Sequence, residues 1–143
     1  MSIKNGVILS YFNDKLGPVI FSSFPVQQHT LALKNIMNKF MDFFAKSGYL
    51  IYIKNDKKIF NTSFEIPSTL NRGKILMISI SVIVSKSDNL DNVIIEKLKT
   101  FKAVLKVKKD IYFGFHDDGS EIFKEKNKLI KSYIKTLYRE IFA

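Results

Sequence analysis

The residues best suited to chemistry are His116-Asp117-Asp118, where a histidine adjoins two carboxylates. A metal ion needs ligands at workable spacing, together with outer groups that orient them. Three adjacent residues rarely converge on one ion, so we interpret this stretch as a polar turn that ends at Gly119. The other histidine, His29, stands alone and is interpreted as a helix cap or a surface residue. We therefore predict no metal site.

Motifs of the common enzyme classes are also missing from the sequence. There is no Gly-x-Ser-x-Gly elbow to support a hydrolase triad, and neither of the glycine-rich phosphate-binding patterns occurs among the six scattered glycines. The chain contains no cysteine, which excludes disulfides, thiolate metal sites and a cysteine nucleophile. We therefore predict no catalytic residue and no cofactor, and we expect a protein that is not an enzyme.

The net charge of +10 raises nucleic acid or an anionic membrane as a partner. All but two of the 23 basic residues are lysines, and the two arginines are Arg72 and Arg139. Recognition of phosphates and bases favours the guanidinium group, so we interpret the lysines as a solvated surface and expect no specific binding of nucleic acid. A basic module that binds nucleic acid or an anionic membrane is the alternative. Its contact residues would be Lys97, Lys99, Lys102, Lys106, Lys108 and Lys109.

The length of 143 residues and the hydrophobic content of 46% fit a single domain that spans residues 1–143 and has a substantial core. The first apolar run meets Asn13 and Asp14 too soon for a signal peptide. No segment reaches the roughly 18 continuous apolar residues of a membrane-spanning helix. We expect a soluble cytoplasmic protein, with peripheral contact to a membrane as a further option.

The stretch 74–85 is rich in β-branched residues and nearly uncharged, which predicts a central strand over 75–84. Its alternation places Leu76, Ile78, Ile80, Val82 and Val84 on one face and Ile75, Met77, Ser79, Ser81 and Ile83 on the other. Because neither face is charged, helices should cover both sides of the sheet. The serine hydroxyls would then need partners, which we expect to be backbone carbonyls.

Turn residues and hydrophobic periodicity predict the remaining elements. The prediction begins with a hairpin of strands 6–13 and 18–24, followed by a helix 30–47 between a cap at His29 or Thr30 and Gly48. A second hairpin follows, with strands 49–54 and 59–66 around turn 55–58. The last elements are a helix 90–107 capped by Asp88 or Asn89 and a helix 120–142 capped by Ser120. Aromatic residues at 111–115 should pack under the sheet and fasten the last two helices, although a recognition surface is an alternative. The fold class is therefore α+β, an α-β-α sandwich with a five-stranded, mostly antiparallel sheet.

This order of elements, β-β-α-β-β-β-α-α, resembles the longin domain, a profilin-like sandwich associated with membrane trafficking. The first hairpin also resembles longin proteins through Ser10-Tyr11-Phe12, Leu16-Gly17-Pro18, Phe21 and Pro25. The related roadblock fold begins with a helix, for which this chain has no room before its first strand. The resemblance implies an adaptor or subunit in a complex that regulates small GTPases or vesicle transport. A roadblock-like dimerisation scaffold is the alternative.

In longin proteins, the first helix and the neighbouring edge strand receive a SNARE segment, another longin or a small GTPase. The sequence ends just after its last predicted helix, so we expect the partner to be another chain: a longin-like or roadblock-like subunit, a small GTPase or a second copy. The hydrophobic edge strand 49–54 invites pairing by strand addition or helix packing. An alternative is that loop 68–73 covers this strand. The candidate interface residues are Tyr49, Ile51, Ile53, Lys34 and Asn38.

Overall fold

The fold was obtained as a computed structural model, which describes residues 3–27, 31–42 and 49–142. It is an α+β fold with one five-stranded antiparallel sheet in the order β2-β1-β5-β4-β3. The predicted caps at His29, Thr30 and Gly48 lie outside the described residues, as does the predicted end of the first helix. The strands are β1 (Gly6–Asn13), β2 (Gly17–Phe24), β3 (Leu50–Lys54), β4 (Lys57–Pro67) and β5 (Ile75–Ser85), and the helices are α1 (Leu31–Asp42), α2 (Asp91–Val107) and α3 (Glu121–Phe142).

The predicted central strand is confirmed, because β5 lies in the middle of the sheet between β1 and β4. Ile80 is opposite Leu9 on one side and Thr62 on the other, and it is fully buried. The alternation along β5 divides its side chains as the sequence predicts. One set joins the core under α2 and α3, whereas Ile83, from the other set, joins the core under α1.

The three helices form the two outer layers of the predicted sandwich. The spacing of apolar residues by three and four positions gives each helix one buried stripe. The stripes of α2 and α3 pack on the same sheet face, and that of α1 packs on the opposite face. The buried residues are Ile94, Leu98, Phe101 and Leu105 in α2, Ile130, Ile134, Leu137 and Ile141 in α3, and Leu33, Ile36, Met37 and Phe40 in α1.

The serines of β5 find a different partner from the one the sequence predicts. The side-chain amide of Asn61, on β4, lies 2.7 Å from Ser79 Oγ and 2.9 Å from Ser81 Oγ, and it also lies 3.1 Å from the carbonyl oxygen of Ile80. The serine hydroxyls therefore accept from a side chain, and Ser81 Oγ in turn donates to Met37 Sδ at 3.8 Å. The result is a buried polar cluster on the sheet face under α1.

The two hairpins have different turns. A three-residue turn joins β1 to β2, in which Asn13 Oδ1 accepts from the backbone N–H groups of Lys15 and Leu16, and Gly17 has the expected positive φ of 80°. The pairing of these strands shifts between Leu9 and Ser10, where β2 contains a bulge.

The turn between β3 and β4 is shorter than the predicted 55–58. Only Asn55 and Asp56 lie between the strands, because Lys54 pairs with Lys57. Lys57 and Lys58 therefore belong to β4, and Lys58 Nζ lies 3.1 Å from Asp91 Oδ1 in the first turn of α2. This ion pair connects the start of β4 to the start of α2.

Of the two predicted helix caps that lie within the described residues, one is confirmed. Ser120 Oγ accepts a hydrogen bond of 3.2 Å from the backbone N–H of Phe123, as an N-terminal cap does. The predicted cap of α2 by Asp88 or Asn89 is wrong, because the helix begins after Leu90 without a side-chain cap. Asp88 belongs instead to the turn after β5, where its N–H donates to the carbonyl of Ser85.

The aromatic stretch Ile111–Phe115 forms a 3-10 turn between α2 and α3, and its packing supports the structural interpretation. Phe115 is buried and its ring lies 4.8 Å from that of Phe21 on β2 and 5.3 Å from that of Tyr11 on β1, between ring centroids. The hydroxyl of Tyr112 is 2.8 Å from that of Thr69. The stretch therefore fastens the helices to the sheet.

Candidate functional site

Strand β3 is an edge strand, as the sequence predicts, and carries two exposed isoleucines. In the described part of the chain it pairs with β4 alone. Leu50 and Tyr52 face α1, whereas Ile51 and Ile53 face the side of α2. Ile51 is 49% exposed and Ile53 is 53% exposed. Tyr49 is on the same side as the isoleucines but packs partly against the core, and this burial raises the pKa of its hydroxyl.

The backbone of β3 presents its unpaired groups at the same two isoleucines. In a hairpin with a two-residue loop, the residues that flank the loop form a hydrogen-bonded pair, here Lys54 and Lys57. Hydrogen-bonded and non-hydrogen-bonded pairs then alternate, so Tyr52 bonds to β4, and Ile51 and Ile53 do not. The N–H and C=O groups of Ile51 and Ile53 therefore point away from β4. Side chains and backbone together form an apolar edge whose outward hydrogen-bonding groups are paired with no other described strand.

Helix α1 brings different residues to this edge from those predicted. Lys34 lies on the flank of α1 next to β2, in a groove it shares with Val19 and Ile20. Asn38 is exposed on the outer surface of the helix and borders the grooves on both flanks. The structure therefore does not join Lys34 to Tyr49, Ile51 and Ile53 in one surface.

The α1 residues beside β3 are Asn35 and Lys39. Together with Tyr52 they line a shallow groove, and Lys39 Nζ lies 5.6 Å from the centre of the Tyr52 ring. The sequence shows that Lys34 and Lys39 are both on the polar side of the helix. It does not show the direction in which the helix crosses the sheet, and that direction decides which lysine meets β3.

The loop 68–73 turns towards the other end of the sheet. Asn71 makes two of the side-chain bonds that hold this loop. Its Oδ1 lies 2.8 Å from His116 Nε2, and its amide nitrogen lies 3.3 Å from Asp14 Oδ2. Asp14 also accepts a hydrogen bond of 3.0 Å from the N–H of Arg72. These bonds attach the loop to the β1–β2 turn and to the stretch after α2. They do not lead to β3, contrary to the interpretation that this loop covers the edge strand.

The two residues after His116 stabilise the turn before α3. Asp117 Oδ1 accepts from the N–H of Gly119, and Asp118 Oδ1 accepts from the N–H of Ser120. Hydrogen bonds from Ser120 lower the pKa of the Asp118 carboxyl. Over the described ranges, no group of three or more His, Cys, Asp or Glu side chains is placed to hold a metal ion.

His116 should make the stability of the protein depend on pH. Burial lowers the pKa of its imidazole, and the carboxylates of Asp14 and Asp118 offset part of that effect. The unfolded chain, with a histidine pKa of about 6.5, then binds the proton more readily than the folded chain. We expect the stability contributed by neutral His116 to be complete above about pH 6.5 and to decrease as the pH falls below it, which should lower Tm.

Thermal melts between pH 7.5 and 5 would measure this decrease. The variant His116→Gln keeps an N–H donor for Asn71 but does not titrate, so its Tm should change less over the same range. His29 is present in both proteins and cancels in the comparison. Identical pH profiles would show that His116 is not responsible.

The lysines proposed for an anionic contact do not share one surface of α2. Lys97 lies on the flank next to α3, where its Nζ is 2.9 Å from Glu140 Oε2, and this bond raises its pKa. Lys102 is partly buried on the opposite flank, where desolvation, helped by the charge of Lys106, lowers its pKa. The exposed lysines of this set are Lys99, Lys106, Lys108 and Lys109.

Comparison of the sequence with protein-family models and with curated proteins gives no match. Among the helices that the structure describes, none combines the length and the apolar character needed to span a membrane. The edge of β3, with its exposed isoleucines and unpaired backbone groups, is therefore the candidate site on geometric grounds.

Proposed function

We propose that this protein is a non-enzymatic protein-interaction module of the longin type, which recognises another polypeptide chain by strand addition along β3. The observation that carries the proposal is the coincidence, at Ile51 and Ile53, of exposed apolar side chains with backbone groups that point away from the sheet. Extended segments bind such edges through backbone hydrogen bonds, and their side chains give specificity.

The other sheet edge, β2, offers a useful contrast. Natural proteins discourage pairing at an edge with prolines, bulges and charged residues. Strand β2 has Pro18 near its start and a bulge opposite Leu9 and Ser10. Strand β3 has neither, and its one charged residue, Lys54, is its last. The difference between the edges supports β3 as the interaction surface.

The biological role follows from the longin resemblance. The order and layers of the elements fit that resemblance, and longin modules act as adaptors or subunits in complexes that regulate small GTPases or vesicle transport. We extend this role to the present chain. The partner would be a longin-like or roadblock-like subunit or a small GTPase, and its extended segment would lie along β3, next to Tyr52 and Lys39.

The substitution Ile51→Lys tests the proposal, because it places a charge on the β3 edge at a half-exposed position that folding can tolerate. The matched control is Leu16→Lys, which adds the same charge at a residue 77% exposed in the β1–β2 turn. We expect native cytosol to yield a partner with the wild type and with Leu16→Lys, and several-fold less with Ile51→Lys. Mass spectrometry would identify the partner.

The captured partner should then be purified and its contact with β3 mapped. A photoreactive group at Ile53 should cross-link to an extended segment of the partner, whereas one at Leu16 should not. Equal capture by all three proteins, at equal circular-dichroism spectra, would contradict recognition through β3.

A further inference from the structure

We propose that the groove between α1 and β2 is a binding site for a small organic acid, one with an apolar body and a hydrogen-bonding group at the end opposite its carboxylate. The groove lies on the flank of α1 next to β2, away from β3, so the inference does not depend on recognition along β3. Its volume is about 320 Å³. The residues that border it include Ser10, Val19, Ile20, Lys34, Met37 and Asn38.

The floor of the groove contains a buried hydroxyl without a partner. Ser10 is 1% exposed, and its Oγ forms no hydrogen bond with any residue that the structure describes. Its neighbours in the same row of the sheet are Ser79 on β5 and, beyond it, Ser63 on β4. The hydroxyls of those two serines lie 2.7 Å and 3.4 Å from side-chain atoms of Asn61. Ser10, which is nearer to β2, borders the groove instead.

The unpartnered hydroxyl of Ser10 indicates a ligand at this floor. A buried polar group without a hydrogen bond lowers stability, and most such groups in native proteins are paired. The hydroxyl hydrogen rotates to suit whichever partner is present. A polar atom of a ligand that reaches the floor of the groove would therefore supply the bond that the described chain does not.

The walls of the groove are apolar. Val19 and Ile20 of β2 form one side, and Met37 of α1 forms the other. Such walls favour an apolar ligand body, and the flexible methionine side chain adapts to its shape. A cavity of about 150 Å³ holds benzene, so the groove has room for one ring with a polar group at each end.

The mouth of the groove is positively charged. Lys34 and Asn38 are exposed and lie one turn apart on the same face of α1. Within the described part of the chain, Lys34 forms no ion pair, so its ammonium group is available to a carboxylate. The net charge of +10 also attracts anions to the surface. From mouth to floor, the groove thus offers a cation, apolar walls and a hydroxyl.

Three matched compounds test this order of groups. 4-Hydroxybenzoate has both end groups, benzoate lacks the hydroxyl, and 4-hydroxybenzamide lacks the charge. We expect 4-hydroxybenzoate, a ligand of about ten non-hydrogen atoms, to bind with a Kd of about 0.1–1 mM. Benzoate should bind about fivefold more weakly and the amide about threefold more weakly. Nuclear magnetic resonance titrations of the backbone amides would measure these affinities and show whether the shifts are confined to the groove.

Two variants assign the end groups to residues. Ser10→Ala should bind 4-hydroxybenzoate and benzoate equally, and without ligand its Tm should equal or exceed that of the wild type, because an unpaired buried group is removed. Lys34→Gln should bind 4-hydroxybenzoate and its amide equally, and this exposed position tests the site independently of any change at Ser10. The control, Lys128→Gln, removes an exposed lysine of α3 and should keep the wild-type preferences.

Three results would overturn the proposal. Absence of shifts up to about 10 mM, well above the expected Kd, would show that the groove holds water only. Shifts spread over the lysines of α2 and α3 would show that charge alone attracts the acid. Unchanged preferences in Ser10→Ala or Lys34→Gln would show that these residues do not form the site. Ile51→Lys should bind all three compounds as the wild type does, so failure at this groove is separate from failure of recognition at β3.

Discussion

Replacing Ile80 with Asp should prevent the protein from folding. Ile80 is fully buried at the centre of β5, between Leu9 and Thr62 on the neighbouring strands. Its side chain points into the hydrophobic core under α2 and α3, where its cross-strand partner Thr62 is a buried polar neighbour but carries no charge to pair with a carboxylate. A buried carboxylate without a partner costs several kcal/mol, and loss of the isoleucine side chain costs about 2–5 kcal/mol more. Together these losses approach the 5–15 kcal/mol of total stability typical of a domain.

The control for this change is Ile75→Asp, which places the same residue at the start of the same strand. Ile75 is 43% exposed, so its carboxylate would remain in contact with water. Far-ultraviolet circular dichroism at 25 °C should show an unfolded chain for Ile80→Asp and a folded one for Ile75→Asp. A cooperative melt of Ile80→Asp at the wild-type temperature would contradict the position of β5 in the core.

Replacing Gly114 with Ala should cause the next largest loss of stability. A methyl group at this position would lie 2.5 Å from Ile130 Cδ1, 2.8 Å from the carbonyl carbon of Lys126 and 2.9 Å from the backbone nitrogen of Asn127. Two of these atoms belong to the backbone of α3 and cannot move without shifting the helix. Overpacking of a core costs about 1–3 kcal/mol and occasionally more, and we expect about 3 kcal/mol here.

Urea denaturation of Gly114→Ala would measure this loss. The control, Gly119→Ala, adds the same methyl group where the structure places no heavy atom within 4 Å apart from those of residues 118–120, at a positive φ of 75°. That variant should lose only the roughly 1–2 kcal/mol of an alanine in the left-handed region. A smaller loss at Gly114 than at Gly119 would contradict the close contact between the 111–115 stretch and α3.

The sequence predicts the layers of the fold well because each layer has its own local pattern. Alternation along 75–84 identifies β5 and its two faces, and the apolar stripe of α3 is visible in the spacing of Ile130, Ile134, Leu137 and Ile141. These signals depend only on neighbouring residues and on the geometry of a strand or helix. The same is true of the Ser120 cap, which lies directly before its helix.

Contacts between residues distant in sequence could not be predicted in this way. The bonds of Asn61 to two serines of β5, and of Asn71 to Asp14 and His116, depend on which strands are neighbours and on their register. Asparagine is also common in turns, so an asparagine in the sequence does not indicate which distant residue its side chain will bond to. The position of Lys39 beside Tyr52 depends on how α1 crosses the sheet, which no local pattern specifies.

The unequal edges of the sheet set a limit on assembly. A strand added along β3 leaves β2 as the remaining edge of this chain's sheet. Further growth on this chain would require β2 to accept a strand, and Pro18 and the bulge opposite Leu9 and Ser10 discourage this. The hydrophobic edge can therefore recognise one strand without leading to open-ended fibres. A polymer would need a second permissive edge.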